Sequence, residues 1–208
     1  MAVINSVAVG AAKGKVGNII YSRSAGRTIA REYQPSIKNP NTPEQQKQRS
    51  KMRNIIVVYN AISPALKHAF AGRKRTLSVF NAFVSANVSK MKDDADFELN
   101  SYPTAEGDLI IGNGNLGKTE FSKTGAGSVQ IDFSKIKNRL SEGDKAMFFA
   151  YDFDTQELTM EVATLTAEQV EAGVVSQALA TASNGMSGGY IYTAKGNKSS
   201  FDIIGADV

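Results

Sequence analysis

The chain has 208 residues and a net charge of +4, which hides a sharp split. Residues 1–92 carry 16 Lys and Arg against two acids, Glu32 and Glu44, whereas residues 93–208 carry 8 against 18. Such a length holds one large domain or two small ones. Cysteine is absent, which excludes disulfides and thiolate chemistry. The single histidine, His68, makes a His-based triad or multi-His metal site hard to build, and no apolar run reaches the roughly 18 residues that span a bilayer.

Met1 to Gly17 lacks a basic stretch followed by an apolar core, so no secretory signal is expected. Its small residues, Gly10, Ala11, Ala12, Gly14 and Gly17, predict an extended arm. Val16 to Tyr21 and Thr28 to Tyr33 are β-prone runs separated by Ser22-Arg23-Ser24-Ala25-Gly26, which predicts a hairpin. Arg23, Arg27 and Arg31 recur every fourth position and share one face if the turn keeps the register. Pro35 to Pro43 is an extended connector. Thr42-Pro43-Glu44-Gln45 then has the capping chemistry of a helix start.

Met52, Ile55, Ile56, Tyr59 and Ile62 form an apolar helical stripe, Gln46, Lys47, Arg49, Lys51 and Arg53 cover much of the remaining surface, and the helix is expected to end near Ala61. Ser63-Pro64 predicts a short second helix over Ala65 to Ala71, stopped by Gly72. Leu77, Phe80, Phe83, Val84, Asn87, Val88 and Met91 fit one face of a third.

After Asp93 the texture changes. Phe97 to Ser101, Asp108 to Gly112, Ser128 to Phe133, Ala146 to Phe153, Leu158 to Thr164, Val174 to Ala182, Gly189 to Ala194 and Ser200 to Ile204 are strand-like. Thr166-Ala167-Glu168-Gln169 is a capping box for one or two helical turns. About seven or eight short strands favour a β-sandwich. The expected organisation is therefore α+β, with an extended arm and hairpin over 1–41, a basic helical region over 42–92 and an acidic β-sandwich over 93–208.

Gly112-Asn113-Gly114-Asn115-Leu116-Gly117-Lys118-Thr119 satisfies the phosphate-loop pattern GxxxxGK[ST]. A phosphate loop must open a helix, and here the chain runs through Phe121, Gly125 and Gly127 into another strand. A glycine-rich β-turn is the better reading. Asp152-Phe153-Asp154 reads as an acidic hairpin turn, Asp93, Asp94 and Asp96 as a solvated linker, and His68 as a surface or boundary residue. No catalytic residue, metal or cofactor is implied.

The basic half carries the functional signal. Its cations have almost no acids to pair with, so they imply contact with phosphates or an acidic protein surface. The candidate contact residues are Lys13, Lys15, Arg23, Arg27, Arg31, Lys47, Arg49, Lys51 and Arg53.

Gly14-Lys15-Val16-Gly17-Asn18, then Tyr21, Gly26 and Arg31, then Asn39-Pro40-Asn41-Thr42-Pro43-Glu44-Gln45-Gln46-Lys47-Gln48-Arg49, form the pattern G-K-x-G … N-P-x-T-P-x-Q-x-x-x-R. This stretch resembles an uncharacterised family of small virion proteins of Bacteroidetes and their gut phages, crAss-like ones included. Phe80-Asn81-Ala82-Phe83-Val84 and Leu109-Ile110-Ile111 with Gly114-Asn115-Leu116 also resemble it, the latter as a glycine turn before an Ig-like region. A tryptophan usual in related phage proteins is missing here. The resemblance implies an Ig-like antiparallel β-sandwich and a non-enzymatic structural component of a bacteriophage particle, such as a tail or portal-proximal ring or a capsid-associated protein. The protein would be made in the bacterial host cytoplasm and reside in the virion. Expected partners are copies of itself, as a homo-oligomer, and other virion proteins, with no membrane. The alternative is a nucleic-acid-binding protein contacting packaged DNA through the basic half. A nucleotidase using Lys118 is the third and weakest reading.

Overall fold

The computed structural model describes residues 2–4, 12–24, 26–36, 38–74, 76–99, 109–124, 127–180 and 184–204. The chain divides into two units, Met1–Thr42 and Pro43–Val208.

In the first unit, β1 (Ala2–Ile4), β2 (Gly14–Val16), β3 (Ile19–Ser24) and β4 (Arg27–Glu32) form an antiparallel sheet in the order β1-β4-β3-β2. Two segments of the expected arm, Ala2–Ile4 and Gly14–Val16, are thus paired strands. The hairpin exists, but its turn is tighter than the sequence predicts. Ser24 pairs with Arg27, so the loop between them is two residues long and includes Gly26. Gly26 has φ +79°, a conformation that a two-residue hairpin loop demands and that glycine adopts without a Cβ clash. That turn breaks the arginine spacing. Arg23 lies opposite Thr28, while Arg27 and Arg31 lie opposite Ser24 and Ile20, so Arg23 falls on the other face from Arg27 and Arg31.

The second unit opens with α1 (Pro43–Ile62), starting after Thr42 as its capping sequence predicts. The buried positions are Asn54, Ile55, Val58 and Ile62, a stripe rotated from the expected one, and it leaves Met52 and Val57 each 37% exposed. The predicted second helix is absent. Residues 63–72 form consecutive turns with bonds such as Leu66 N to Ser63 O and Ala69 N to Leu66 O. Tertiary partners use the carbonyls that a helix would need. The Tyr190 hydroxyl donates to Ala65 O at 2.7 Å, and both Asn113 N and Ser199 Oγ donate to Ala69 O. Next, α2 (Val79–Asn87) is capped by the Ser78 side chain and runs into a 3-10 turn over Val88–Lys90.

The remainder is β-rich. Described strands are β5 (Leu109–Gly112), β6 (Glu120–Lys123), β7 (Ser128–Asp132), β8 (Lys145–Asp152), β9 (Leu158–Thr164), β10 (Val174–Ala178), β11 (Gly185–Tyr192) and β12 (Asp202–Ile204), with α3 (Ala167–Ala172) held by the Thr166–Gln169 capping box. They pair antiparallel as β10-β7-β6, β11-β8-β9 and β12-β5. Strand β6 and a 3-10 segment, Ser134–Arg139, carry no signal in the sequence reading, because neither shows a clean apolar period. The strand expected over Phe97 to Ser101 is not formed at 97–99, and the rest lies outside the described residues.

Strands β8 and β11 are buried on both faces. One face packs on a cluster that includes Ile55, Leu66 and Phe83 from the helical segments with Met147, Phe149 and Tyr190. The other packs Phe148 and Ile191 against Val129, Ile131 and Val175 of the β10-β7-β6 sheet. The charge boundary near Asp93 falls inside this unit, and the first cluster spans it. The observed class is α+β, with several small antiparallel sheets and a β-rich C-terminal part.

Candidate functional site

The cations singled out by the sequence occupy both units. In the first, the register places Lys15, Arg27 and Arg31 on one face of the sheet, with Tyr33 beside them. The Lys15 ammonium stands 3.5 Å from the centre of the Tyr33 ring, a cation–π contact that orients it. Lys13, Lys15, Arg23, Arg27 and Arg31 are all exposed. The opposite face carries Gly14, Val16, Ile19, Tyr21 and Arg23, and Val16 and Ile19 are 67% and 43% exposed. Only Thr28 is buried among the described residues of this unit.

In the second unit, Lys47, Arg49, Lys51 and Arg53 lie on the first three turns of α1. Lys47 approaches Asp93 at 4.0 Å, and Lys51 donates to Ser89 O at 3.4 Å. Both reach toward the segment after α2. That segment is tied down by Asn54, whose amide donates to Lys92 O and Asp94 O at 2.9 Å each. Arg49 and Arg53 are exposed. The structure thus groups Lys15, Arg27 and Arg31 on one sheet face and sets Arg23 apart.

The glycine-rich loop does not open a helix. Residues 113–119 lead into β6. Three of its backbone donors are committed inside the fold, Asn113 N to Ala69 O, Leu116 N to Ser199 O and Thr119 N to Phe201 O, and these three do not face a phosphate. A Cβ on Gly114 would lie 2.0 Å from Ser199 O, and this packing explains the glycine without a ligand. Beside the loop is a cavity of about 470 Å³ lined by Phe70, Arg73, Leu77, Ala86, Ile110 and Asn113. Its one guanidinium, Arg73, already donates to Phe70 O and Leu77 O at 3.0 Å each.

Beneath the loop lies a polar cluster that the sequence reading missed. Asp202 accepts from the Thr119 and Ser200 hydroxyls, and Ser200 Oγ accepts from Ile191 N at 2.9 Å. Burial pushes the Asp202 carboxyl from 3.8 up to about 6, partly offset by the two hydroxyl bonds and the Lys118 charge. Only the Ser-x-Asp spacing could have hinted at it.

His68 is half-buried and stacks on Tyr192 with ring centres 4.7 Å apart. Burial, with the charges of Lys67, Lys145 and Arg73, holds its pKa below 6.5. Asp152 Oδ1 accepts from Asp154 N at 2.8 Å, which makes the acidic hairpin an Asx-type turn. Among the described residues, no group of three or more His, Asp or Glu is placed to hold a metal ion, and no helix is long and apolar enough to cross a membrane.

No curated protein and no solved structure matches the chain. A protein-family model does match, over residues 11–187, which span the first-unit sheet from β2 onward, all three α-helices and most of both buried clusters. The chain therefore belongs to the family of unknown function DUF6266.

Proposed function

We propose that this protein is a non-enzymatic structural component of a bacteriophage particle that assembles through its basic N-terminal sheet. The observation that carries the reading is the Met1–Thr42 unit itself. Its four-stranded sheet exposes four cations, Lys15, Arg23, Arg27 and Arg31, and the side chains of Val16 and Ile19, yet buries only Thr28 among its described residues. A small sheet without a core is marginal alone and gains stability from a partner surface. The motif resemblance to phage and prophage proteins points to a particle as the setting, in a tail or portal-proximal ring or on the capsid. The finer fold proposed for 93–208 is an Ig-like antiparallel β-sandwich. The β11-β8-β9 and β10-β7-β6 sheets facing one another across the second cluster support it.

The test is detection of the protein in purified virions, with negative-stain images of the purified chain. Rings or other closed assemblies, together with a virion signal, are the expected result. A monomer absent from virions sinks the reading.

A second reading, contact with packaged DNA, draws on Lys15, Arg27 and Arg31 sharing one face. Three phosphate contacts predict a log–log salt slope of about −3 with little sequence preference. A gel shift at two salt concentrations measures it, and no shift at low salt dismisses it.

A further inference from the structure

We propose that a groove on the second unit receives the N-terminal sheet of a second copy of this chain. The inference rests on the assembly reading above and names the surface that the sheet meets. The groove, about 550 Å³, runs between α1, residues 97–99 and the β8–β9 turn, with Val57, Ala61, Phe97, Leu99 and Tyr151 as its apolar lining. It continues onto β9. Leu158, Met160 and Val162 stand opposite Tyr151, Phe149 and Met147 in the β8 register, so they share the face that packs on the first cluster. Met160 and Val162 are nonetheless 40% and 47% exposed. Strand β9 is also the last strand of its sheet among the described residues, in the order β11-β8-β9.

The occupant is argued from complementarity of two kinds. The exposed Val16 and Ile19 of the sheet, with Tyr21 on the same face, match the exposed Val57 of the groove and Met160 and Val162 of β9. Arg23, the cation on that face, which also holds Glu32, meets the exposed carboxylates of the turn after β8, Asp154 and Glu157. By unit, residues 1–42 carry six Lys and Arg against one acid, Glu32, and residues 43–208 carry 18 against 19, so the sheet is the strongly basic partner. Sheet and groove are different surfaces, so the contact is heterologous. It generates a ring if the rotation closes and a filament if it does not.

The test uses the full chain and two exposed substitutions, Val16→Asp on the sheet and Val162→Asp on β9. Each is checked by circular dichroism to melt like the parent. Sedimentation of the parent is expected to show multimers at low salt that weaken as salt rises. Each variant alone is expected to associate roughly tenfold more weakly or worse. Mixed together, the two variants are expected to pair one-to-one and stop, because one keeps an intact groove and the other an intact sheet. A parent that is monomeric at every salt concentration overturns the proposal. So do variants that assemble like the parent, or a mixture that fails to pair. Unchanged assembly in the Val162→Asp variant overturns the groove while leaving the assembly reading intact. Absence of the protein from virions overturns the assembly reading itself.

Discussion

Asp202 is a carboxylate in a place that disfavours its charge. Only two hydroxyls and an adjacent lysine offset the desolvation, and its pKa rises from 3.8 to about 6. Protons therefore bind the folded state more tightly than the unfolded chain between those values. The associated stability is present in full below the unfolded value and is lost as pH rises through the folded one. An Asp202→Asn variant keeps the shape and removes the titration. Relative to it, the parent should gain on the order of 3 kcal/mol between about pH 7 and about pH 4, read from urea melts at each pH. His68 titrates with the opposite sign, since its pKa is lowered, but it is present in both proteins and cancels. Ser187 offers the reverse experiment. Its hydroxyl is buried with no hydrogen-bond partner among the described residues, so Ser187→Ala should be neutral or stabilise by up to about 1 kcal/mol in the same assay.

Elements are joined here by single side chains acting as backbone. Asn87, at the end of α2, is fully buried and pairs with Ile110 of β5 as a neighbouring strand would. Its Oδ1 accepts from Ile110 N at 2.7 Å, and its amide donates to Ile110 O at 2.8 Å and to Phe83 O. Asn87→Ala leaves these buried backbone groups without partners and should cost about 2–3 kcal/mol. The periodicity places Asn87 on the inward face of the third helix, yet nothing in it tells a buried asparagine from an ordinary helix residue. Residues 63–72 teach a related lesson. Ser63-Pro64 has the chemistry of a helix start, but Tyr190 and Ser199, more than 120 residues away, capture the carbonyls. Gly114→Ala should strain the same junction, because its Cβ would overlap Ser199 backbone. Loss of cooperativity in its melt, rather than any change in nucleotide affinity, is the expected effect.

At the scale of the whole molecule, every residue of both apolar clusters lies between Ile55 and Tyr192. A chain beginning at Pro43 should therefore still unfold in one cooperative transition, and its midpoint by circular dichroism should stay within a few degrees of the parent's. The same truncation should abolish self-association, since it removes the sheet that the groove would hold. A truncated chain that still forms the parent's multimers would place assembly elsewhere.

The sequence by itself determined the local features whose causes are local. The Thr42-Pro43 start of α1, the Thr166–Gln169 box of α3, strand β9 to the residue and the paired run around Gly26 follow from capping and turn chemistry and from alternation. It also determined the charge split, which is composition alone. Tertiary structure decided whatever depends on partners distant in the chain. It set which stripe of α1 is buried, leaving Met52 and Val57 out, and which face each arginine takes once the turn proves two residues long. It melted the second helix into turns and turned a phosphate-loop pattern into a packed junction on Ser199. In each case the backbone groups and apolar surface were satisfied by residues that no short window of sequence contains.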